Sequence, residues 1–200
     1  MQKDVKRLED MTLKELWELF PIRLVDPAPD RWKKSFNNEK IKLAALLKER
    51  ALSINHIGST AVGTIKAKDI VDIMVETAAG KMKECAALLR DNGYIIMSES
   101  EERISLNKGY TPEGYADEVF HIHLRNKGDA DEIYFCAYLK ERPEVAKRYE
   151  ELKTELLEEY GKDRDGYTAA KGGFVKEITE KAKRKALDTD GKEEGNVQNR

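Results

Sequence analysis

From Val119 to Leu124 the chain alternates strictly: Phe120, Ile122 and Leu124 fall to one side, His121 and His123 to the other. That period of two predicts a half-buried strand. Ile70 to Val75 is apolar throughout except for Asp72, the pattern of a strand covered on both faces. Further strands are predicted at Leu52–Ile57, Tyr94–Met97 and Arg103–Asn107, with a short one at Ile22–Val25 closed by Pro27 and Pro29. Gly109 to Gly114 reads as a loop from its Gly and Pro content.

The remaining periodicity is helical. Thr12-Leu-Lys-Glu15 is a capping-box pattern, followed by Leu13, Leu16, Trp17 and Phe20 at helical spacing up to Pro21. Asp30 is placed to cap a helix that carries Trp32, Phe36, Leu43 and Leu47 near one face. Gly80 opens a helix through Met82, Cys85, Ala86 and Leu89, and Gly93 stops it. Beyond Pro143, Val145, Tyr149, Leu152, Leu156 and Tyr160 repeat every three or four residues until Gly161. A last helix spans about Thr168–Ala186, its first turns loosened by Gly172-Gly173 at a cost of about 1 kcal/mol per glycine. These elements predict an α+β domain, a mixed sheet of four to six strands flanked by helices, with a helical C-terminal third. One domain over 1–186 is expected, then a polar, aperiodic and disordered tail over 187–200.

Composition narrows the function classes. The 200 residues are 40% hydrophobic and 37% charged with a formal net charge of -2, which argues against a general nucleic-acid binder. No apolar run is long enough for a membrane span and no signal segment is seen, so a cytoplasmic protein is expected. Cys85 and Cys136 lack metal-ligand spacing and read as reduced core thiols, with a disulfide as the other reading.

The candidate chemistry lies on the two strands and the turn before them. Gly58-Ser59-Thr60 could bring backbone N–H groups and hydroxyls to a phosphate, or Ser59 or Thr60 could simply cap a turn. Asp72, in the middle of a buried strand, needs a cation, a ligand or backbone donors to offset its desolvation. Asp69, at the strand's start, suits a turn or cap. His121 and His123, two apart on one face, could share a ligand or metal, or be satisfied structurally. Lys66, Lys68 and Arg103 are candidate anion partners, against the ordinary reading of solvated surface cations.

These residues carry a resemblance. Trp32 with Phe36, Ile54-Asn-His-Ile-Gly-Ser-Thr-Ala-Val62, Lys68-Asp-Ile-Val-Asp-Ile73, Tyr110-Thr-Pro-Glu-Gly-Tyr-Ala116, Phe120-His-Ile-His-Leu124, Tyr138-Leu139, Pro143-Glu-Val-Ala-Lys-Arg-Tyr149, Leu152-Lys153 and Tyr167-Thr-Ala-Ala-Lys171 stand in the order and spacing of one family. From about Ile22 to Ile178 the chain resembles the GrpB-like family of the nucleotidyltransferase superfamily. The resemblance implies the nucleotidyltransferase fold. It also implies a Gly-Ser turn on a nucleoside triphosphate, and strand acids binding divalent metal for in-line attack on phosphate. Gly58, Ser59, Thr60 and Lys68 would then hold the nucleotide or other phosphorylated small molecule, while Asp72, His121 and His123 would hold the metal and carry catalysis. The chain departs from the superfamily pattern in three places: Met74 stands where the second acid would be, Asp69 replaces a proline, and the neighbouring strand offers histidines instead of a carboxylate. Imidazoles prefer zinc, nickel, iron or copper to magnesium, which argues against two-Mg²⁺ nucleotidyl transfer. A non-catalytic binding module on the same fold is the alternative.

Overall fold

The structure, a computed structural model, describes residues 6–161 and 163–197, with side chains described through residue 188. Helix α1 (Leu13–Leu19) starts on the predicted capping box: Thr12 Oγ1 accepts from the Glu15 N–H, and the Glu15 carboxylate accepts from the Thr12 N–H at 2.7 Å. Ile22–Val25 does not become a strand. Only Val25 pairs, as an isolated antiparallel bridge with Ala67, because the prolines on both sides leave too short a run to extend.

Helix α2 (Pro29–Leu47) has proline in its first turn, where no N–H is needed. Asp30 is inside this turn and does not cap it. The first turn is tied down instead by Asp69, whose carboxylate accepts from Arg31 Nη1 and from the indole N–H of Trp32, both at 2.8 Å. Asp69 thus anchors α2 through two side-chain contacts, where a turn or cap role was expected of it.

The chain continues through β1 (Ala51–Ile57), the short helix α3 (Gly58–Val62), β2 (Val71–Thr77) and α4 (Met82–Arg90) to β3 (Ile95–Glu99). Gly80 lies in the turn ahead of α4 instead of opening it. Next come β4 (Arg103–Thr111) and β5 (Gly114–Asn126), so the expected 109–114 loop shrinks to a tight hairpin. Gly109 sits at a bulge with φ +89°, where a Cβ would fall 2.3 Å from the Glu118 carbonyl oxygen; only glycine fits. Phe20, Tyr110 and Tyr115 cluster over this hairpin and hold its strands together beyond the predicted end.

Helices α5 (Asp131–Glu141), α6 (Pro143–Tyr160), α7 (Arg164–Ala170) and α8 (Gly172–Val197) complete the described chain. The expected single last helix is broken at Lys171, beside the glycine pair. Its second part runs to Val197, into the segment expected as a tail, where Lys192, Glu193 and Glu194 are good helix formers that propagate a helix already begun.

The sheet order is β1-β2-β5-β4-β3, with β2 and β5 parallel and the other neighbours antiparallel, so the α+β class expected from the sequence is the architecture observed. One core joins a sheet face to α2 and α4 through Trp32, Leu43, Leu47, Ile73, Leu89 and Ile122. A second joins α3, α5, α6 and α8 through Val62, Leu139, Tyr149 and Ile178. Cys85 belongs to the first and Cys136 to the second; both are free and buried. Glu39 of α2 is fully buried, which its helical surroundings did not foretell. It accepts from Lys108 Nζ at 2.6 Å and from the Tyr94 hydroxyl, so its charge is paired inside the core.

Candidate functional site

Parallel pairing of β2 with β5 sets the site. Its register places Asp72 opposite His121 and Met74 opposite His123. Since side chains alternate, all four project from the face opposite Ile73 and Ile122. His121 Nδ1 lies 3.2 Å and His123 Nε2 3.5 Å from the same oxygen, Asp72 Oδ1. One ligand atom from each of the three residues falls within 4.8 Å of the others. Side-chain exposures of 30, 22 and 23% leave Asp72, His121 and His123 reachable by a solute.

The electrostatics follow from this contact. Burial opposes charge on Asp72, but hydrogen bonds from His121 and His123 outweigh it and hold the carboxyl far below the usual range. Burial holds His121 below the ordinary imidazole value despite Asp72, so the ring is neutral at physiological pH. A carboxylate beside two imidazoles is a donor set suited to zinc, iron, nickel or copper, and the close approach of the three ligand atoms fits one such ion.

The glycine of the turn has a structural reason of its own. Gly58 has φ +71°, and a Cβ there would lie 2.5 Å from Asp72 Oδ2. Ser59 Oγ accepts a hydrogen bond from Lys153 Nζ at 2.9 Å, and Lys153 also donates to the Lys66 carbonyl. The Thr60 hydroxyl is already engaged, 2.9 Å from His56 Nε2. His56 itself stacks on Phe36 of α2, and burial takes its pKa down to about 4 against the opposing pull of Asp72.

Asp72, His121, His123, Gly58, Ser59, Thr60 and Lys68 line one pocket of about 300 Å³, together with Tyr149, Lys153, Arg164, Tyr167 and Lys171. Four cations converge here, and Asp72 is the only carboxylate among the described lining residues. Lys153 is 3% exposed, and burial, with repulsion from Lys171, takes its pKa down to about 7. Lys68 is also pushed down to about 7, by burial and then by Lys171 and Arg164. The ammonium groups of Lys68 and Lys171 lie 4.9 and 4.8 Å from the Tyr167 ring centre, a cation–π arrangement that partly offsets their desolvation.

Of the predicted anion partners only Lys68 reaches this pocket. Lys66 is exposed and pairs with Asp26, and Arg103 is bound to Asp129 and Asp131. Sequence reasoning gave no site role to Lys153, Arg164, Lys171 or Tyr110, although all but Arg164 stand in segments that carry the family resemblance. Tyr110 is second in line from Asp72: its hydroxyl lies 2.8 Å from His121 Nε2 and accepts from Arg164 Nη2 at 2.8 Å. One of the four was also signalled by its own position. Lys153 falls four residues after Tyr149 on the apolar stripe of α6, where a lysine is out of place.

Comparison with known proteins places these residues in a family context. The family model described as GrpB protein matches residues 21–181. The Glutamate-rich protein GrpB of Alkalihalophilus pseudofirmus is 32% identical over 160 residues, covering 74% of this chain and 89% of that protein. The UPF0157 protein YqkA of Bacillus subtilis is 27% identical over 186 residues; the match takes in 90% of this chain but only 53% of that protein's length. The crystal structure of the conserved protein GrpB from Enterococcus faecalis superposes with a TM-score of 0.71 at 28% identity, over 82% of this chain and 99% of that one. The poly(U) polymerase Cid1, in a complex with its short product ApU, matches at a TM-score of 0.46 and 13% identity, over 75% of this chain and 45% of that one. Among the described residues no helix is long and apolar enough to cross a membrane.

Proposed function

The chain belongs to the GrpB family, and on that footing we propose that its basic pocket binds a nucleotide or another phosphorylated small molecule together with a divalent metal. The observation that carries this reading is the convergence of Lys68, Lys153, Arg164 and Lys171 on a pocket whose lining offers a single carboxylate. Buried like charges repel one another and lose hydration, so such a cluster is costly until an anion enters. A phosphate supplies that anion, with oxygens that accept from several donors at once. In this reading Gly58 and Ser59 face the phosphate, with Lys68 and Lys153 beside it. Asp72, His121 and His123 hold the metal, which when bound would neutralise charge on phosphate oxygens. The remaining work falls to the chain itself: Arg164 and Lys171 orient the anion, and the partly enclosed pocket strengthens each contact by limiting water.

Whether the pocket also transfers a nucleotidyl group is a finer question, and one residue favours a second reading. Met74, fully buried and opposite His123, leaves the metal site without a second acid. A binding module that senses its ligand without reacting would look the same.

Calorimetric titration with nucleoside triphosphates, with and without Zn²⁺ or Mn²⁺, tests the proposal on wild type and on Lys171→Ala and Asp72→Ala. Binding weakened by Lys171→Ala with or without metal, by Asp72→Ala in the presence of metal, and by metal removal in wild type, supports it. Absence of binding for nucleotides and for inorganic pyrophosphate alike would overturn it. Release of pyrophosphate from a bound triphosphate separates transfer from mere binding.

A further inference from the structure

His121 touches a hydrogen-bonding group at each ring nitrogen. Nδ1 is 3.2 Å from Asp72 Oδ1, and Nε2 is 2.8 Å from the Tyr110 hydroxyl. Arg164 Nη2 donates to that hydroxyl at 2.8 Å, so one lone pair of the phenol oxygen is taken. What remains to Tyr110 is one lone pair and one proton, which can go to His121 or to the neighbouring Tyr115 hydroxyl.

A neutral imidazole carries its proton on one nitrogen only. Beside an ionised Asp72 and no metal, the stable arrangement puts that proton on Nδ1, where it is donated to the carboxylate. Nε2 is then an acceptor, and the Tyr110 O–H must donate to it. A metal ion bound by Asp72 and His121 reverses every one of these roles. Nδ1 becomes the ligand atom and can no longer bear a proton, so the proton moves to Nε2. Tyr110 must then accept at its remaining lone pair. A hydroxyl can do both by rotating about its C–O bond, and Arg164 keeps the oxygen in place while it does.

We propose that Tyr110, held by Arg164, is a positioning residue that switches from hydrogen-bond donor to acceptor as His121 changes tautomer, and so lets one imidazole serve Asp72 in the metal-free protein and a metal in the loaded one. The inference rests on the metal reading of Asp72, His121 and His123, and it extends that reading to a residue outside the ligand set. No proton is gained or lost overall: the one leaving Nδ1 is replaced by one arriving at Nε2. Because Arg164 also lines the basic pocket, the group that fixes Tyr110 faces the bound anion as well. The phosphate and metal halves of the site are thereby joined through a single guanidinium.

The test is ¹⁵N-imidazole NMR of the full chain at pH 8, without metal and with Zn²⁺, on wild type and Tyr110→Phe. In wild type His121 should be the Nδ1–H tautomer before zinc and the Nε2–H tautomer after it. Phenylalanine keeps the ring but cannot accept from Nε2–H, so zinc affinity should fall about 10- to 100-fold. The metal-free wild-type spectrum needs no variant to fold, and an Nε2–H tautomer there overturns the switch. Zinc binding that leaves His121 as Nδ1–H, or that is equally tight in Tyr110→Phe, also overturns it while the metal reading stands. If zinc moves no imidazole signal in wild type, the metal reading falls and takes the switch with it.

Discussion

Gly58 and Asp72 are packed so closely that a methyl group on Gly58 would lie 2.5 Å from Asp72 Oδ2. Gly58 also has φ +71°, a conformation that costs an L-residue about 1–2 kcal/mol. Gly58→Ala is therefore expected to lower the unfolding free energy by at least about that much and to push the carboxylate off its imidazole partners. Urea unfolding and zinc titration measure the two effects separately. A variant of wild-type stability with intact zinc binding would contradict the packing argument.

Asp72→Asn keeps the shape of the site and removes its charge. Metal-dependent stabilisation should vanish, because an amide is a poor replacement for a carboxylate ligand. Metal-free phosphate binding should strengthen, by up to about tenfold, since the negative charge inside the anion pocket is gone. Calorimetry with inorganic phosphate in EDTA reads the second effect. Weaker phosphate binding in this variant would mean that the four cations do not face the anion.

The depressed lysines predict opposite pH trends for stability and for binding. Lys68 and Lys153 have folded pKa values of about 7, against about 10.4 for an unfolded lysine. Between these values the unfolded chain binds more protons, so stability contributed by the two groups rises with pH from about 7 to about 10 and is at its lowest below about 7. An anion wants the ammonium forms, so affinity for phosphate should fall as pH climbs through about 7. Unfolding and binding measured at pH 6 and pH 9 give both signs, and replacing both lysines with methionine should flatten both trends. Affinity that rises with pH would remove these lysines from the anion site.

Asp69→Ala tests an acid three residues from Asp72 that does something else. It strands the buried indole N–H of Trp32 and frees Arg31, at an expected cost of about 1–3 kcal/mol. Binding of phosphate and zinc should be unchanged in the folded variant. Selective loss of zinc binding at unchanged stability would move Asp69 into the site.

Legibility in the sequence followed the range of the forces involved. The faces of β5 could be read because alternation is a local property of Phe120 to Leu124. The Thr12–Glu15 cap could be read for the same reason. That Asp72 and His121 belong together was implied by the family resemblance, whereas their direct opposition depends on β2 pairing with β5 across the intervening α4, β3 and β4, which no local pattern encodes. Arg164 was lost among the chain's many other basic residues, and Lys171 stood in a resemblance segment without a role, since a cation facing a pocket and one facing water have the same neighbours in sequence. Gly58 was read as a site residue for its approach to a ligand; its observed constraint is the approach of Asp72.

The parallel pairing of β2 with β5 also has a temporal consequence. The two strands cannot meet until the segment between them has been made and has folded back, which is a demanding loop closure and a slow step for a chain of this kind. During synthesis Asp72, His121 and His123 leave the ribosome ahead of Lys153, Arg164 and Lys171. A nascent chain therefore passes through a stage at which Asp72, His121, His123 and Lys68 are present but the other three pocket cations are not, and under the proposed metal reading a metal captured then would act as a template for the sheet before the full anion site exists.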